Sequence, residues 1–519
     1  MPEQRDVVIV GGGHNGLTAA AHLARAGLDV LLLERDDHLG GAAISAPAFE
    51  GVEARLSRYS YLVSLLPQRI IDDLGLDLRL VRRAHSSYTP DPHDPTRGLL
   101  IERDGAGYGA FERIGAASDA LAWGSFGDDT VRLAKAIFPT LTEPLPTRDE
   151  VRRLVDDARV WDEFVRRPLG EAVAARFSND LVRGVVETDG LIGTFTRTTD
   201  PSLDANRCFL YHVIGGGTGD WDVPVGGMGA VSGELARAAR TAGATQVMGA
   251  DATGITPDGE VRYTRDGAEH TVTAGTVLSG VAPHVLARLL GEPEASARPE
   301  GAQLKVNLLL TRLPRLRDTS VSPEAAFGGT LHVNETASQL EAAYAEASAG
   351  RLPDPMPCEV YCHTLSDPSI LSPELAASGA HTLTVFALHV PDRLVDALGD
   401  DELRRAAERA VLDSLDSVLA EPIESLLATD ASGRPCIETK TTRDLERALA
   451  MPGGNIFHGP LSWPWREADD PAGTPAERWG VATAHPRILM CGSGAVRGGA
   501  VSGIGGHNAA MAVVEALAG

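Results

Sequence analysis

Residues 6–34 read DVVIVGGGHNGLTAAAHLARAGLDVLLLE, and this stretch decides the fold. Asp6 to Val10 is a short apolar run of the kind buried in a parallel sheet. Gly11, Gly13 and Gly16 follow as GxGxxG. The first glycine permits the turn, the second lets a phosphate approach the backbone, and the third lets helix and strand pack closely. Leu17 to Ala26 is expected as a helix stopped by Gly27, and Asp29 to Leu33 as the next strand. Glu34 ends that strand, where a carboxylate can accept hydrogen bonds from both hydroxyls of an adenosine ribose. Strand, turn, helix, strand and acid in one register predict a dinucleotide site.

The residues after Glu34 favour FAD over NAD. Arg35 leads into Gly40, Gly41, Ala42 and Ala43, a second glycine pair of the kind that lets a chain pass beside a pyrophosphate and a flavin ring. At the other end, Ile488 to Met490 is expected as a strand. It is followed by CGSGAVRGGAVSGIGG at 491–506 and a helix from His507 to Leu517. A glycine-rich turn at a helix start aims free N–H groups at an electron-rich atom. The flavin O2/N1 edge needs such donors, because negative charge collects there on reduction. The alternative for this loop alone is a turn that merely closes a sheet.

At 519 residues the chain exceeds one ordinary core, so two domains are expected. The net charge is −24, and only three of the basic residues are lysines: Lys135, Lys305 and Lys440. That balance excludes a nucleic-acid partner and leaves at most a peripheral membrane contact. No apolar run reaches the ~18 residues of a membrane span, and no signal peptide precedes the first strand, so a cytoplasmic protein is expected. Cys358 and Cys362 are expected on one face of a strand, too far apart for a disulfide. No cysteine pair with redox spacing follows Gly41, so disulfide chemistry is not expected.

The quoted stretches resemble a known family. GGGHNGLTAA at 11–20, LGGAA at 39–43, VPVGGMGAVSGELARAA at 223–239, GGNIFHGPLS at 453–462 and CGSGAVRGGAVSGIGGHNAA at 491–510 are similar to the phytoene desaturase-related flavoproteins. Within them they resemble most the branch of pyridine nucleotide-disulfide oxidoreductase domain-containing protein 2. The resemblance runs the length of the chain in family order. It implies an α/β fold: a Rossmann-like FAD-binding domain of glutathione-reductase/amine-oxidase type, with an α+β substrate domain of antiparallel sheet and covering helices. The FAD-binding domain is expected from residues 1–80, 223–299 and 446–519. The substrate-binding domain, with a helical lid, is expected from 81–222 and 300–445.

In the middle piece a helix is expected over Ala230 to Thr241 and a strand near Thr245 to Met248. A hairpin of Glu260 to Thr264 with Glu269 to Thr273 follows, then a separate strand at Thr276 to Ser279. Gly227 and Gly229 lack a preceding apolar strand, so helix capping or FAD support is the better reading and no NADPH site is expected. Residues 81–222 show little alternation, with helices over Ser118 to Phe138, Arg148 to Phe164 and Pro168 to Arg176. Strands are expected at Gln303 to Leu310, Glu359 to His363 and Thr382 to Val390, and a helix over Asp401 to Leu419.

The expected FAD contacts are Gly11, Gly13, His14, Asn15 and Gly16, then Glu34, Arg35, Gly40, Gly41, Ala42 and Ala43. Gly492, Ser493, Gly503, Ile504, His507 and Asn508 join them from the C-terminal loop. The resemblance adds Ala252, where a backbone group meets the adenine. Lys305 is the most pointed catalytic candidate, because a lysine inside an apolar strand must keep its ammonium solvated or paired. Its position resembles the strand lysine of the amine-oxidase superfamily, which holds a water at flavin N5. The alternative is an edge-strand lysine reaching solvent. His458, after a Pro-Gly-Gly turn, is the second catalytic candidate. His507 is expected neutral at a helix start, in a capping or packing role. Tyr59 and Tyr61 are expected on the substrate side or in an aromatic core. No metal-ligand spacing is found, and Ser493 and Ser502 lack a hydrolase elbow.

The leading expectation is an FAD-dependent oxidoreductase that desaturates an apolar, isoprenoid-like molecule by hydride transfer to flavin N5. Electrons would pass to oxygen, a quinone or another acceptor. An FAD-dependent amine or amino-acid oxidase and a non-catalytic flavin-binding partner protein are the alternatives. A homo-oligomer is compatible with the sequence.

Overall fold

The structure is a computed structural model that describes residues 3–103, 105, 107–293 and 298–518. Two seven-stranded sheets organise it. In the first, Glu3–Val10 lies at the centre, parallel to Val30–Leu33 on one side and to Ala268–Ser279 on the other. Thr245–Val247 extends the sheet beyond Val30–Leu33, and Ile488–Met490 runs parallel to the end of Ala268–Ser279. Val7 and Ile9 pack into one core while Val8 and Val10 pack into another. Both faces are therefore covered, which is why the strand reads as a continuous apolar run. Each such side chain contributes about 1.5–3 kcal/mol by leaving water.

The helix His14–Arg25 follows the glycine turn and packs with Met228–Ala242 and Ile504–Ala518 in the same core. The contact with the last helix is very close. A Cβ on Gly506 would fall 1.9 Å from the Asn15 carbonyl oxygen, so only glycine fits there.

The expected hairpin forms, but its second arm and the separate strand at Thr276 to Ser279 are one continuous strand, Ala268–Ser279. It pairs antiparallel with Glu260–Arg265 and parallel with Glu3–Val10. The strand runs through Gly275 without interruption.

The second sheet is ordered Ile437–Lys440, Leu304–Leu310, His381–Ala387, Cys358–Tyr361, Thr330–Val333, His85–Asp91 and Asp94–Glu102. Thr330–Val333 and His85–Asp91 are parallel, and the other neighbours are antiparallel. Leu304, Val306, Leu308 and Leu310 enter a core shared with Asp400–Val418. Strand alternation then turns Lys305 and Asn307 to the opposite face.

Residues 81–222 depart from the expectation of helices alone. His85–Asp91 and Asp94–Glu102 form a hairpin at the sheet's edge. Pro90, Pro92 and Pro95 masked the alternation, and prolines are tolerated at an edge. The helix expected over Arg148 to Phe164 is broken. Asp156 adopts φ +49° after Arg148–Val155, and Asp157 accepts from Arg159 N and Val160 N to start a new turn. The helices after the hairpin bury Phe111, Phe126, Phe164, Phe177 and Phe209 in one aromatic core.

The strand at Cys358 ends at Tyr361, so Cys362 lies outside it. All five cysteines are free and buried. Among the described residues no helix is long and apolar enough to cross a membrane.

Candidate active site

A cleft of about 300 Å³ draws its walls from both sheets. At one end stands the turn before His14–Arg25. Gly11 sits at φ +104°, a conformation that glycine adopts without steric cost. No side chain caps the helix, and a Cβ built on Gly13 would meet nothing within 4 Å. Open space thus lies over a set of unclaimed helix N–H groups, the requirement for a pyrophosphate. Glu34 sits beside it, its two oxygens accepting from Gly12 N at 2.7 Å and Asp36 N at 3.0 Å. Burial raises its pKa above the ordinary carboxylate value.

Several buried polar atoms at this wall lack a hydrogen-bond partner among the described residues: His14 Nδ1, Asn15 Oδ1, Gln303 Nε2 and His458 Nδ1. Orphaned polar atoms around an open glycine turn fit a polar ligand. His14 Nε2 lies 3.1 Å from the Ala500 carbonyl and donates to it. Burial lowers the pKa of His14 and of His458 to about 4, with the charge of His14 adding to the effect on His458. Both imidazoles are therefore neutral at pH 7. His458 has φ +65°, a strained backbone conformation for a side chain of its size.

Lys305 enters the same cleft from the central region of the second sheet. It is 3 % exposed, and its Nζ donates to the Ser57 carbonyl at 2.8 Å. The ammonium also lies 5.2 Å from the Phe386 ring centroid. Phe386 is its cross-strand partner, as is Lys440 on the other side. Burial depresses the Lys305 pKa well below 10.5, opposed by the charge of Glu438. Glu438 is itself held by Arg58, by Asn307 Nδ2 at 3.1 Å and by Lys440 Nζ at 3.1 Å.

Of the residues expected from sequence, the cleft wall includes Gly11, Gly13, His14, Asn15, Gly16, Glu34, Arg35, Gly41 and Ala42. It also includes Tyr59, Tyr61, Ala252, Lys305, His458 and Ser493. Gly40, Ala43, Gly492, Gly503, Ile504, His507 and Asn508 stand behind it. Gly40 N donates to Gly12 O at 2.9 Å, and the Ala43 carbonyl accepts from Ser232 Oγ at 2.6 Å. A Cβ on Gly492 would lie 2.5 Å from the Gly280 carbonyl, and Ile504 N donates to Ser502 Oγ at 3.2 Å. Gly503, at φ +71°, lets the chain enter the last helix. His507 packs edge-on to His22 at 5.1 Å and bonds Asn508 Oδ1 at 3.0 Å, while Asn508 Nδ2 donates to the Leu141 carbonyl. The start of Met228–Ala242 is capped from outside, by Ser57 Oγ to Met228 N and Ser45 Oγ to Gly229 N.

The sequence reading passed over Phe386, His212, Trp221 and Gln303, which also line the cleft. Only the pairing of Lys305 with Phe386 had a local signal, the shared alternation of two strands. Arg497 was passed over as well. It is 1 % exposed and fixes the C-terminal loop through the carbonyls of Thr140, Glu143 and Trp479. His332 and Glu359, from adjoining strands, and Glu335, just after the first of them, converge within 4.8 Å although their spacing in the sequence is not that of a metal site.

A family of NAD(P)-binding Rossmann-like domains matches residues 9–67. An uncharacterized protein of Mycobacterium tuberculosis is 59% identical over 525 residues, covering 99% of this chain and 97% of that one. Pyridine nucleotide-disulfide oxidoreductase domain-containing protein 2 of Mus musculus is 29% identical over 565 residues, covering 99% and 94%. Among solved structures a triple mutant of putrescine oxidase superposes with a TM-score of 0.58 at 17% identity, covering 100% of both chains. That likeness shows the fold. The glycine turn with its paired acid, and relatives aligned from end to end, make this chain an FAD-dependent oxidoreductase of the family that holds the mycobacterial protein.

Proposed function

We propose that this chain takes a hydride from one carbon of a small organic substrate held against the cleft, while the neighbouring carbon or nitrogen gives up a proton to water, leaving a new double bond between the two atoms. FAD, when bound, supplies the hydride acceptor. The free N–H groups at His14, Asn15 and Gly16 hold the pyrophosphate, and Glu34 holds the ribose. Leu62, Ile192 and Phe457 exclude water from the reacting centre. In this reading residues 1–80, 223–299 and 446–519 form the FAD-binding part, and 81–222 with 300–445 the substrate part. The proposed location is the cytoplasm.

Lys305 is the observation that carries the reading. Its amine is buried in the cleft with one hydrogen bond spent on Ser57, so its other valences are free to hold a water or a substrate atom. A group of that kind supports oxidation of a C–N bond, as in an amine or amino-acid oxidase. Desaturation of an apolar, isoprenoid-like molecule is the second reading, supported by the apolar wall of Leu62, Leu65, Ile456 and Phe457. Electrons leave to oxygen, a quinone or another carrier.

Anaerobic mixing of the purified flavoprotein with amines, amino acids and polyenes, followed by air or quinone, tests the proposal. Bleaching by an amine or amino acid with peroxide on re-oxidation supports C–N oxidation. Bleaching by a polyene supports desaturation. Flavin that no substrate bleaches, though dithionite does, would make the chain a non-catalytic flavin carrier.

A further inference from the structure

Behind the cleft lies a second cavity of about 270 Å³, and the two share a wall of Tyr61, Leu62, Ile192, His212 and Trp221. Its charged groups differ sharply in how well they are paired. Arg82 is bonded to Asp220 and Asp222, and His85 to Glu102. Glu359 accepts from Tyr361 Oη at 2.6 Å and Thr188 Oγ1 at 3.1 Å. Tyr361 in turn packs against Tyr61 at 4.1 Å, linking this acid to the shared wall.

Among the described residues three charged groups of the lining have no such partner: Arg103, which is exposed to solvent, and the more sheltered Asp189 and Arg83. Asp189 lies deep in the molecule yet keeps surface toward the cavity. Among the described residues its carboxyl makes neither a hydrogen bond nor an ion pair. Arg83 spends Nε on the Trp221 carbonyl and Nη1 on Thr330 Oγ1. Its Nη2 has no partner among the described residues, and no carboxylate there forms an ion pair with it. Burial and the neighbouring Glu359 push the Asp189 pKa to about 7, while the charges of His332 and Arg83 act against that rise. Both groups, each partly buried, gain from an incoming partner of opposite sign, because an unpaired charge away from water is costly.

We infer that this second cavity is the substrate site, and that its ligand is an amino-acid-like zwitterion. The carboxylate of the ligand sits on Arg83 Nη2, a planar donor suited to it. The ammonium sits on Asp189. One carboxylate and one guanidinium, both unpaired, in a space the size of one small molecule call for both charges on the same ligand. Trp123, Phe126 and Phe209 line the same cavity and suit an apolar side chain. The inference rests on the proposed reaction site only in that the shared wall brings the ligand's carbon to the flavin cleft. Binding itself can be measured without turnover.

The test is calorimetric titration of the FAD-loaded protein with the proteinogenic amino acids in both configurations. The strongest binder is then compared with its amide, which lacks the acid charge, and with its deaminated acid, which lacks the amine. The zwitterion is expected to bind at least ~tenfold more tightly than either. Asp189→Asn should bring the zwitterion and the deaminated acid to similar affinity. Arg83→Met should do the same for the zwitterion and the amide, and Arg83→Lys should recover part of the difference. Equal binding of all three compounds, or no binding of any amino acid by the wild-type protein, would overturn the inference whatever the variants do. An amino acid that binds with this pattern but never reduces the flavin would support the site and sink the proposed reaction. Bleaching by polyenes with no amino-acid binding would sink the site and leave the flavin chemistry standing.

Discussion

The Lys305 ammonium and the Ser57 carbonyl meet at 2.8 Å, and the Ser57 hydroxyl accepts from Met228 N at the start of a helix of the first layer. One serine thus fastens a catalytic candidate in the second sheet to the frame of the nucleotide-binding sheet. The depth of Lys305 in the cleft is set by both layers together, which a lysine at a sheet edge would not need.

Lys305→Met is expected to keep FAD and to slow the reductive half-reaction, or re-oxidation by oxygen, at least ~tenfold. That corresponds to about 1.4 kcal/mol of transition-state stabilisation. Stopped-flow rates of each half-reaction, at matched flavin content, decide it. Unchanged rates in both would remove Lys305 from the chemistry.

Gly13→Val separates cofactor binding from folding. Gly13 has φ −70°, which valine accepts, and the new Cβ would meet nothing within 4 Å. The variant should fold with the thermal stability of the wild-type apoprotein and yet carry no flavin absorbance. A yellow Gly13→Val protein would show that the phosphates lie elsewhere.

NADPH should not reduce the flavin at a useful rate. The single glycine turn with its acid is committed to FAD, and the five cysteines are buried and unpaired. Rapid anaerobic bleaching by NADPH would reverse this expectation.

Arg497→Met should lower stability by about 2 kcal/mol and weaken FAD retention. The Glu143 and Trp479 carbonyls lose their donor at once, while the Thr140 carbonyl keeps Glu143 N, and each buried orphan costs about 1 kcal/mol or more. Burial lowers the Arg497 pKa only to about 10, so it is charged at neutral pH. Urea denaturation of the holoprotein, together with flavin release on dilution, measures both effects.

Glu187 gives a pH signature. Burial raises its pKa to about 7 with help from the charges of Asp180 and Glu341, while the Thr198 hydroxyl, at 3.1 Å, and the charge of Arg183 act against the rise. The folded state then holds this proton more tightly than the unfolded state, so its contribution is fully present at low pH and is lost as pH rises through about 7. Glu187→Gln cannot ionise. Its stability relative to wild type should climb by about 1–3 kcal/mol between pH 5 and pH 8. Urea unfolding at both pH values checks this, and a constant difference would contradict it.

The glycine turn, Glu34 and the first strand were legible because their causes are local: a buried run, a left-handed residue and a helix start. The same holds for Lys305, whose strand alternation fixes its face once the apolar partners are known. The hairpin at His85–Asp91 and Asp94–Glu102 was not legible, because its prolines spoke for loop and only its edge position tolerates them. Asp189 and Arg83 carried no signal at all. They lie more than a hundred residues apart in sequence, and what marks them is a missing partner, which exists only once the chain has folded around them. His507, for which a capping or packing role was expected beside its place near the cofactor, packs edge-on to His22, and Asn508 gives its side-chain amide to the Leu141 carbonyl.

The layer that backs the phosphate turn comes from a distant part of the sequence: Ile488–Met490 joins the sheet through Ala268–Ser279, and the helix after it touches Asn15 through Gly506. The glycine turn and its acid form locally, yet their support does not, so cofactor capture waits on contacts between segments far apart in sequence. A protein lacking Ile488–Met490 and that helix would lose its prosthetic group before it lost most of its secondary structure.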